Sequence, residues 1–322
     1  MPLRTVVFLL LGSALAGFVW IAVARPFTVA TESLLNIGQG LALLFVARAL
    51  CARPARTRLT SGLIAAIDAL LVLTVMFPAT IVLAYLSTTA AAPLIDPILV
   101  RADAFLGFHS GAAAGVTEAL PALAWAKRIA YFSFGPQIIA VSCALAVMAG
   151  QARFCHFVFA FMVSALACIA VNMVWPAVGA YVHFGLDCAA FPNLAPAPAC
   201  VFLGDVLALR EGSFETLHLA KAQGILTFPS FHTVLGVLVW HYSRDLGPLC
   251  LPLRVLNVMM IASAVTVGGH YLADVLAGIA LALATIRATD ALARRLEAGG
   301  VASRPAPVTS AQSPLAEGGS GR

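Results

Sequence analysis

The sequence predicts an all-α fold, a polytopic membrane helix bundle with about eight transmembrane helices. Of the 322 residues, 61% are hydrophobic and only 10% are charged, and the mean hydropathy is +0.97. A soluble domain has about 25% charged residues, so this chain has too few charges to cover its exterior with solvated side chains. Most of the exterior must therefore face lipid. The net charge of +5 bears on membrane orientation, and we expect no nucleic-acid partner.

Eight apolar stretches have the length of a membrane span. The first follows Arg4 and ends in Ala-Val-Ala at residues 22–24, which resembles a signal-peptidase site. Because its apolar run is long for a signal peptide, we expect an uncleaved span. The eight stretches lie at about residues 5–24, 29–49, 62–87, 129–149, 154–175, 231–250, 253–269 and 270–291.

The region around the third and fourth spans contains polar and kinking residues. Residues 93–125 place Asp96 and Asp103 among apolar positions at helical spacing, which indicates an interfacial helix between these spans. The two carboxylates could contact an acceptor or cap that helix. In the fourth span Pro136 should kink the helix, and Tyr131 could line a substrate cavity.

The longest polar connection runs from about residue 176 to 229. It contains Cys188 and Cys200, which could form an extracytoplasmic disulfide or remain free. The spacing of the seven cysteines indicates no metal site, and we expect no cofactor. The predicted parts of the chain are N-terminal transmembrane helices at 1–60, a membrane domain with the candidate site at 61–292, and a disordered cytoplasmic tail at 293–322.

The distribution of basic residues predicts the orientation. With the N-terminus in the cytoplasm, thirteen Lys and Arg residues fall on the inner side and six on the outer side. The positive-inside rule therefore supports eight spans with both chain ends in the cytoplasm. We expect a bacterial inner membrane protein, with the long loop and the junction of the last two spans facing the periplasm. The outer six are Arg25, Arg101, Lys127, Arg128, Arg210 and Lys221.

Two histidine motifs should meet at that outer face. In "GGHYLADVLAG", His270 and Asp274 are four residues apart, which places both side chains on one helix face. The aspartate can accept one ring N–H, fix the tautomer and leave the other nitrogen as a nucleophile. The alternative is a buried polar pair that ties helices together.

The second motif, "TFPSFHTV", places His232 in the first turn of a span. A helix N-terminus offers free N–H groups and the positive end of a dipole, which suits a phosphate. Ser230 could bind that phosphate or act as the helix N-cap. His232 could protonate a leaving oxygen and later act as a base.

The two motifs and their spacing resemble the second and third signature motifs of the phosphatidic acid phosphatase type 2 superfamily. The resemblance covers roughly residues 60–290 and includes "LIDPILVRADAFLGF", "WPAVGAY" and "LREGSF". The inositol-phosphorylceramide synthase-like branch is the most similar, and sphingomyelin synthases have a similar His-Tyr-x-x-Asp pattern.

The resemblance implies a lipid phosphatase or phosphotransferase with a phospho-histidine intermediate. His270 would attack a lipid phosphate, Asp274 would orient and charge its ring, and His232 would serve as acid and then base. Ser230 and the N–H groups of Phe231 and His232 would hold phosphate oxygens. The partners would be membrane lipids, as phosphate substrate and, for a transferase, as hydroxyl acceptor.

The sequence departs from the superfamily pattern at cationic positions. The first motif, a Lys followed by Arg-Pro, has no clear counterpart, and Ala264 stands where the third motif usually has an Arg. Phosphoryl transfer needs such charges, and Arg210 and Lys221 are the predicted substitutes. Hydrolysis and transfer to a lipid hydroxyl both stay open, and the alternative from another class is a non-catalytic lipid-binding or transport protein.

Overall fold

The computed structural model describes residues 3–24, 26–52, 57–195 and 200–302. Within them the chain is almost wholly helical, which confirms the all-α prediction, although two-residue strands pair in parallel at Thr28–Val29 (β1) and Thr216–Leu217 (β2). The α-helices are α1 Leu3–Ala24, α2 Thr31–Cys51, α3 Arg58–Thr88, α4 Asp96–Phe105, α5 Ser110–Glu118, α6 Pro121–Phe132, α7 Phe134–Ala144, α8 Gln151–Val174, α9 Ala180–His183, α10 Leu203–Glu211, α11 Phe231–Tyr242, α12 Cys250–Thr266 and α13 Leu272–Ala302.

The number of membrane-spanning helices can be compared with the predicted eight. In the described part of the chain, five helices are long and apolar enough to cross a membrane, or six if α6 and α7 form one bent span, so the count of about eight is not confirmed. The predicted span at 231–250 shows why. Its helix α11 has 12 residues and is about 18 Å long, against a hydrocarbon core of about 30 Å. A polar and Gly-Pro-containing stretch, residues 243–248, follows it.

The predicted kink in the fourth span is present. Helices α6 and α7 meet at Ser133 with a bend of 55°. Pro136 has no N–H to donate to the Phe132 carbonyl and so cannot continue the α6 ladder. The Ser133 hydroxyl donates to the Ala130 carbonyl at 2.6 Å. The bend places the end of α6 and the start of α7 beside the candidate site.

The central helix of the bundle is α8. More than half of its apolar window (56%) is buried inside the protein, whereas none of the equivalent window of α2 is buried. The main core combines its Phe154, Phe157 and Phe161 with side chains of α11 such as Leu235 and Leu238. Burial of large apolar and aromatic side chains in close packing holds these helices together.

Helix α2 lies at the edge of the bundle and packs on α3. Arg48 on α2 donates to Asp68 on α3 at 2.5 Å, so the carboxylate within the third span has a cationic partner. Arg53 and Arg56, which belong to the predicted cytoplasmic cluster, lie outside the described residues.

Three further expectations can be compared with the structure. The single interfacial helix predicted within 93–125 is two short helices, α4 and α5, separated at Gly107, where φ is +68°. Cys188 and Cys200 form a disulfide. Helix α13 extends to Ala302, into the tail predicted to be disordered from 293. Residues 303–322 lie outside the described part.

Candidate active site

The predicted pair of His270 and Asp274 is present at the start of α13. The Nδ1 atom of His270 lies 3.2 Å from Oδ2 of Asp274, and the backbone N–H of Tyr271 donates to the same oxygen at 2.9 Å. Asp274 is fully buried and its Oδ1 atom has no partner among the described residues. A buried carboxylate with so few donors depends on the imidazole as its partner.

Two carboxylates of α4 hold the turn that carries His270. Asp103 accepts from the N–H groups of Leu272 and Ala273 at 2.9 and 2.8 Å, and so caps α13 from outside the helix. Asp96 accepts from the hydroxyl of Tyr271 at 3.0 Å. Both carboxylates are buried, at 3% and 1% exposure. The sequence left open whether they contact an acceptor or cap their own helix, and the structure shows no side-chain cap on α4.

A second chain segment fixes the same turn. Asp96 also accepts from the N–H groups of Val178 and Gly179 at 3.1 and 3.0 Å. The Ala180 N–H donates to the Gly269 carbonyl at 2.8 Å. A Cβ on Gly179 would lie 2.9 Å from that carbonyl oxygen, so only glycine permits this approach. The segment is part of "WPAVGAY", and its contact with the His270 turn accounts for its place in the resemblance.

His232 lies opposite His270. The ring centroids are 6.5 Å apart, with an angle of 59° between the ring planes. Tyr131 stacks on His232 at 3.9 Å and 14°, and Phe134 contacts the ring from α7 at 4.6 Å. Two aromatic rings thus fix the orientation of the second histidine at the bend between α6 and α7.

The two histidines line one end of a cavity of about 370 Å³. Its walls come from α3, the α6–α7 bend, α8 and the non-helical segment 222–227, and most of them are apolar or aromatic. Gln223 and Thr227 add polar groups near the histidines. Such a cavity suits a ligand with a long apolar part and one polar end.

Ser230 occupies the N-cap of α11. Its side chain accepts from the Thr233 N–H at 3.4 Å and the Thr233 hydroxyl at 3.1 Å. The residue is fully buried and does not line the cavity. The structure therefore favours the capping role for Ser230 over phosphate binding. The N–H groups of Phe231 and His232 have no partner in the described part of the chain, so they remain available to an anion.

The two predicted substitutes for the missing cations are not at the cavity. Arg210 donates to the carbonyls of Ala92 and Ala91 at 3.0 and 3.5 Å, which keeps its guanidinium on the loop after α3. Lys221 is exposed. Neither lines the cavity, and among the lining residues there is no Lys or Arg. Their assignment to phosphate binding has no support in this geometry.

The site includes residues whose roles the sequence did not reveal. Asp96 and Asp103 were interpreted as acceptor contacts or helix caps, but their partners lie some 80 and 170 positions away in sequence. The spacing of seven between them, which puts both on one face of α4, was the available signal. Stacking of Tyr131 on His232 had no sequence signal beyond the nearby proline.

Comparison with known proteins is consistent with this geometry. The family model described as the PAP2 superfamily matches residues 97–288, more than half of the chain, and this range contains both histidine motifs. The match does not distinguish the inositol-phosphorylceramide synthase-like branch. The chain matches no curated protein and no solved structure. On the family match, the protein is a membrane-spanning member of the PAP2 superfamily, whose members are generally phosphatases.

Proposed function

We propose that the protein is a lipid-phosphate phosphatase or phosphotransferase that acts through a phospho-histidine. The observation that carries the proposal is the placement of His270, oriented by Asp274, opposite His232 at one end of an apolar cavity. A nucleophile must come within about 3–3.5 Å of the atom that it attacks. A general acid must come within about 2.6–3.2 Å of the oxygen that it protonates. Ring centroids 6.5 Å apart therefore allow both histidines to reach one phosphoryl group.

In the first step His270 is the nucleophile. When the Nδ1–H group of His270 donates a hydrogen bond to Asp274, Nε2 carries the free electron pair and attacks phosphorus. The P–Nε2 bond forms as the bond between phosphorus and the lipid oxygen breaks. His232 gives its proton to the departing oxygen, so that an alcohol leaves. Asp274 balances the charge that develops on the His270 ring.

In the second step the acceptor displaces the histidine. Water or a lipid hydroxyl attacks phosphorus while His232 takes its proton, and the P–Nε2 bond breaks. Attack by water gives phosphate and makes the protein a phosphatase. Attack by a lipid hydroxyl gives a new phospholipid and makes it a phosphotransferase. The apolar cavity walls support a lipid in both cases.

The proposed location is the outer face of a bacterial inner membrane. It is supported by the excess of Lys and Arg in the segments assigned to the opposite side. A phosphate headgroup lies at the membrane surface, and catalytic groups at the ends of apolar helices would meet it there.

The test compares wild type with His270→Ala in detergent micelles. The assay offers ³²P-labelled phosphatidic acid, phosphatidylinositol, and a ceramide or diacylglycerol acceptor, and follows label into phosphate or new lipid. We expect His270→Ala to lose at least about 1,000-fold in kcat, because the nucleophile is gone. His183→Ala, which changes an exposed histidine on α9, is the matched control and should match wild type.

A trapping experiment tests the intermediate. Label from the lipid should appear on wild-type protein in an acid-labile, alkali-stable form typical of phospho-histidine, and not on His270→Ala. If His270→Ala turns over substrate as fast as wild type, the assignment is wrong. If wild type binds these lipids without turnover, the non-catalytic lipid-binding alternative replaces the proposal.

A further inference from the structure

The hydroxyl group of Tyr131 differs from that of every other tyrosine in the chain. The other four tyrosines each donate a hydrogen bond: Tyr85 to Asp205, Tyr181 to the Thr266 carbonyl, Tyr242 to the His156 carbonyl and Tyr271 to Asp96. Tyr131 is 7% exposed and lines the cavity, and no hydrogen bond joins its hydroxyl to a residue that the structure describes. This hydroxyl is therefore free to donate to a group inside the cavity.

The unpartnered hydroxyl lies between the two histidine motifs. Its ring stacks on His232 at 3.9 Å. On the other side, a Cβ added to Gly268 would lie 2.9 Å from the Tyr131 hydroxyl oxygen and 2.7 Å from a ring carbon. Gly268 precedes His270 by two residues, and all four residues line the cavity. Because Gly268 has no side chain, the Tyr131 hydroxyl can occupy this space.

The cavity also has a deficit of donors for a phosphoryl group. None of the described residues that line it is Lys or Arg, and Arg210 donates to backbone carbonyls. The oxygens of a transferring phosphoryl group carry negative charge and need donors that are already in position. A phenol held by stacking is such a donor, and it costs little reorganisation because its ring is fixed.

We propose that Tyr131 donates its hydroxyl hydrogen bond to a non-bridging oxygen of the phosphoryl group during transfer to His270. This inference rests on the proposed function and adds a residue to its site. The hydroxyl makes no covalent bond and keeps its proton. It acts beside His232, at the start of α11, and supplies a donor to a cavity whose described lining residues include no Lys or Arg.

Tyr131→Phe is the direct test because it removes only the hydroxyl and retains the stacking on His232. A hydrogen bond to a charged acceptor corresponds to about a 10- to 150-fold effect, and we expect that loss in kcat/KM with full-length protein and ³²P-labelled phosphatidic acid. The thermal midpoint should stay that of wild type, since the hydroxyl has no protein partner to lose. Tyr242→Phe, a hydroxyl deletion outside the cavity, is the matched control and should retain wild-type kcat/KM.

A binding measurement makes the test independent of substrate choice. Orthovanadate resembles a transferring phosphoryl group, and it should raise the thermal midpoint of wild type and Tyr242→Phe more than that of Tyr131→Phe. Equal shifts of the thermal midpoint with vanadate, or a Tyr131→Phe kcat/KM within twofold of wild type, would overturn the inference. The proposed function would still stand if turnover depends on His270. If wild type neither turns over lipid phosphate nor responds to vanadate, both proposals are overturned.

Discussion

The partner of the candidate nucleophile is the residue whose change has the clearest expected effect. The Oδ2 atom of Asp274 lies within hydrogen-bond distance of His270 Nδ1 and accepts from the Tyr271 N–H. Asp274→Asn keeps the shape but presents an amide that cannot stabilise a charged imidazole. In serine proteases the equivalent Asp→Asn change costs about 10,000-fold in kcat, and we expect a loss of about 100- to 10,000-fold in steady-state turnover with little change in KM.

The control for this change is Asp187→Asn, at an exposed carboxylate in the long loop, which should retain wild-type turnover. A nearly normal kcat for Asp274→Asn would mean that the pair has a structural role, the alternative that the sequence left open.

At this scale the sequence predicted residue types better than residue roles. The i, i+4 spacing was enough to pair His270 with Asp274, because the geometry of one helix determines it. Arg210 was different: its charge suggested phosphate binding, but its position depends on how α10 packs against the end of α3. Long-range packing of that kind leaves no periodic signal in a single sequence.

At the scale of elements, α4 connects the site to the rest of the fold. Asp103 accepts from the first two N–H groups of α13, a buried helix end that has no capping side chain of its own at those positions. Asp103→Ala leaves both groups unsatisfied, at a cost of about 1–3 kcal/mol for each buried donor. We expect a lower thermal midpoint and reduced turnover, because His270 precedes this helix end by two residues.

The matched control is Arg101→Ala on the same helix, where the side chain is exposed and bonds only to its own helix at Pro97. Its thermal midpoint and turnover should stay near wild type. If Asp103→Ala unfolds no earlier than Arg101→Ala, helix α4 does not hold the turn.

The helices also show that the length of an apolar run does not by itself predict where a helix ends. Periodicity and apolar length correctly located α3, α8 and the last two helices, since each is buried or lipid-facing along its length. The stretch predicted as a span at 231–250 is interrupted by Ser243, Arg244 and Asp245, and α11 ends at Tyr242. Apolar residues after a helix end still bury themselves in the core, as Leu246 does, so an apolar run does not fix helix length.

For the whole molecule, the open question is which end of the bundle faces outward. The cavity and the His270 turn lie at one end, together with α4 and the disulfide loop, and Arg153, Arg244 and Asp245 form ion pairs at the other end of α8 and α11. The positive-inside rule assigns this charged end to the cytoplasm. From the charges and the fold together we expect the candidate site on the outer face, and a labelling experiment can test this orientation.

The experiment uses single cysteines in a protein whose five free cysteines are replaced by alanine, with the disulfide retained. Phe105→Cys, at a site 91% exposed on α4, should react with a membrane-impermeant maleimide in intact cells. Arg244→Cys, at the opposite end of the bundle, should react only after permeabilisation. The reverse pattern would place the candidate site in the cytoplasm. A headgroup in the inner leaflet would then be the substrate, while the chemistry of His270 and His232 would be unchanged.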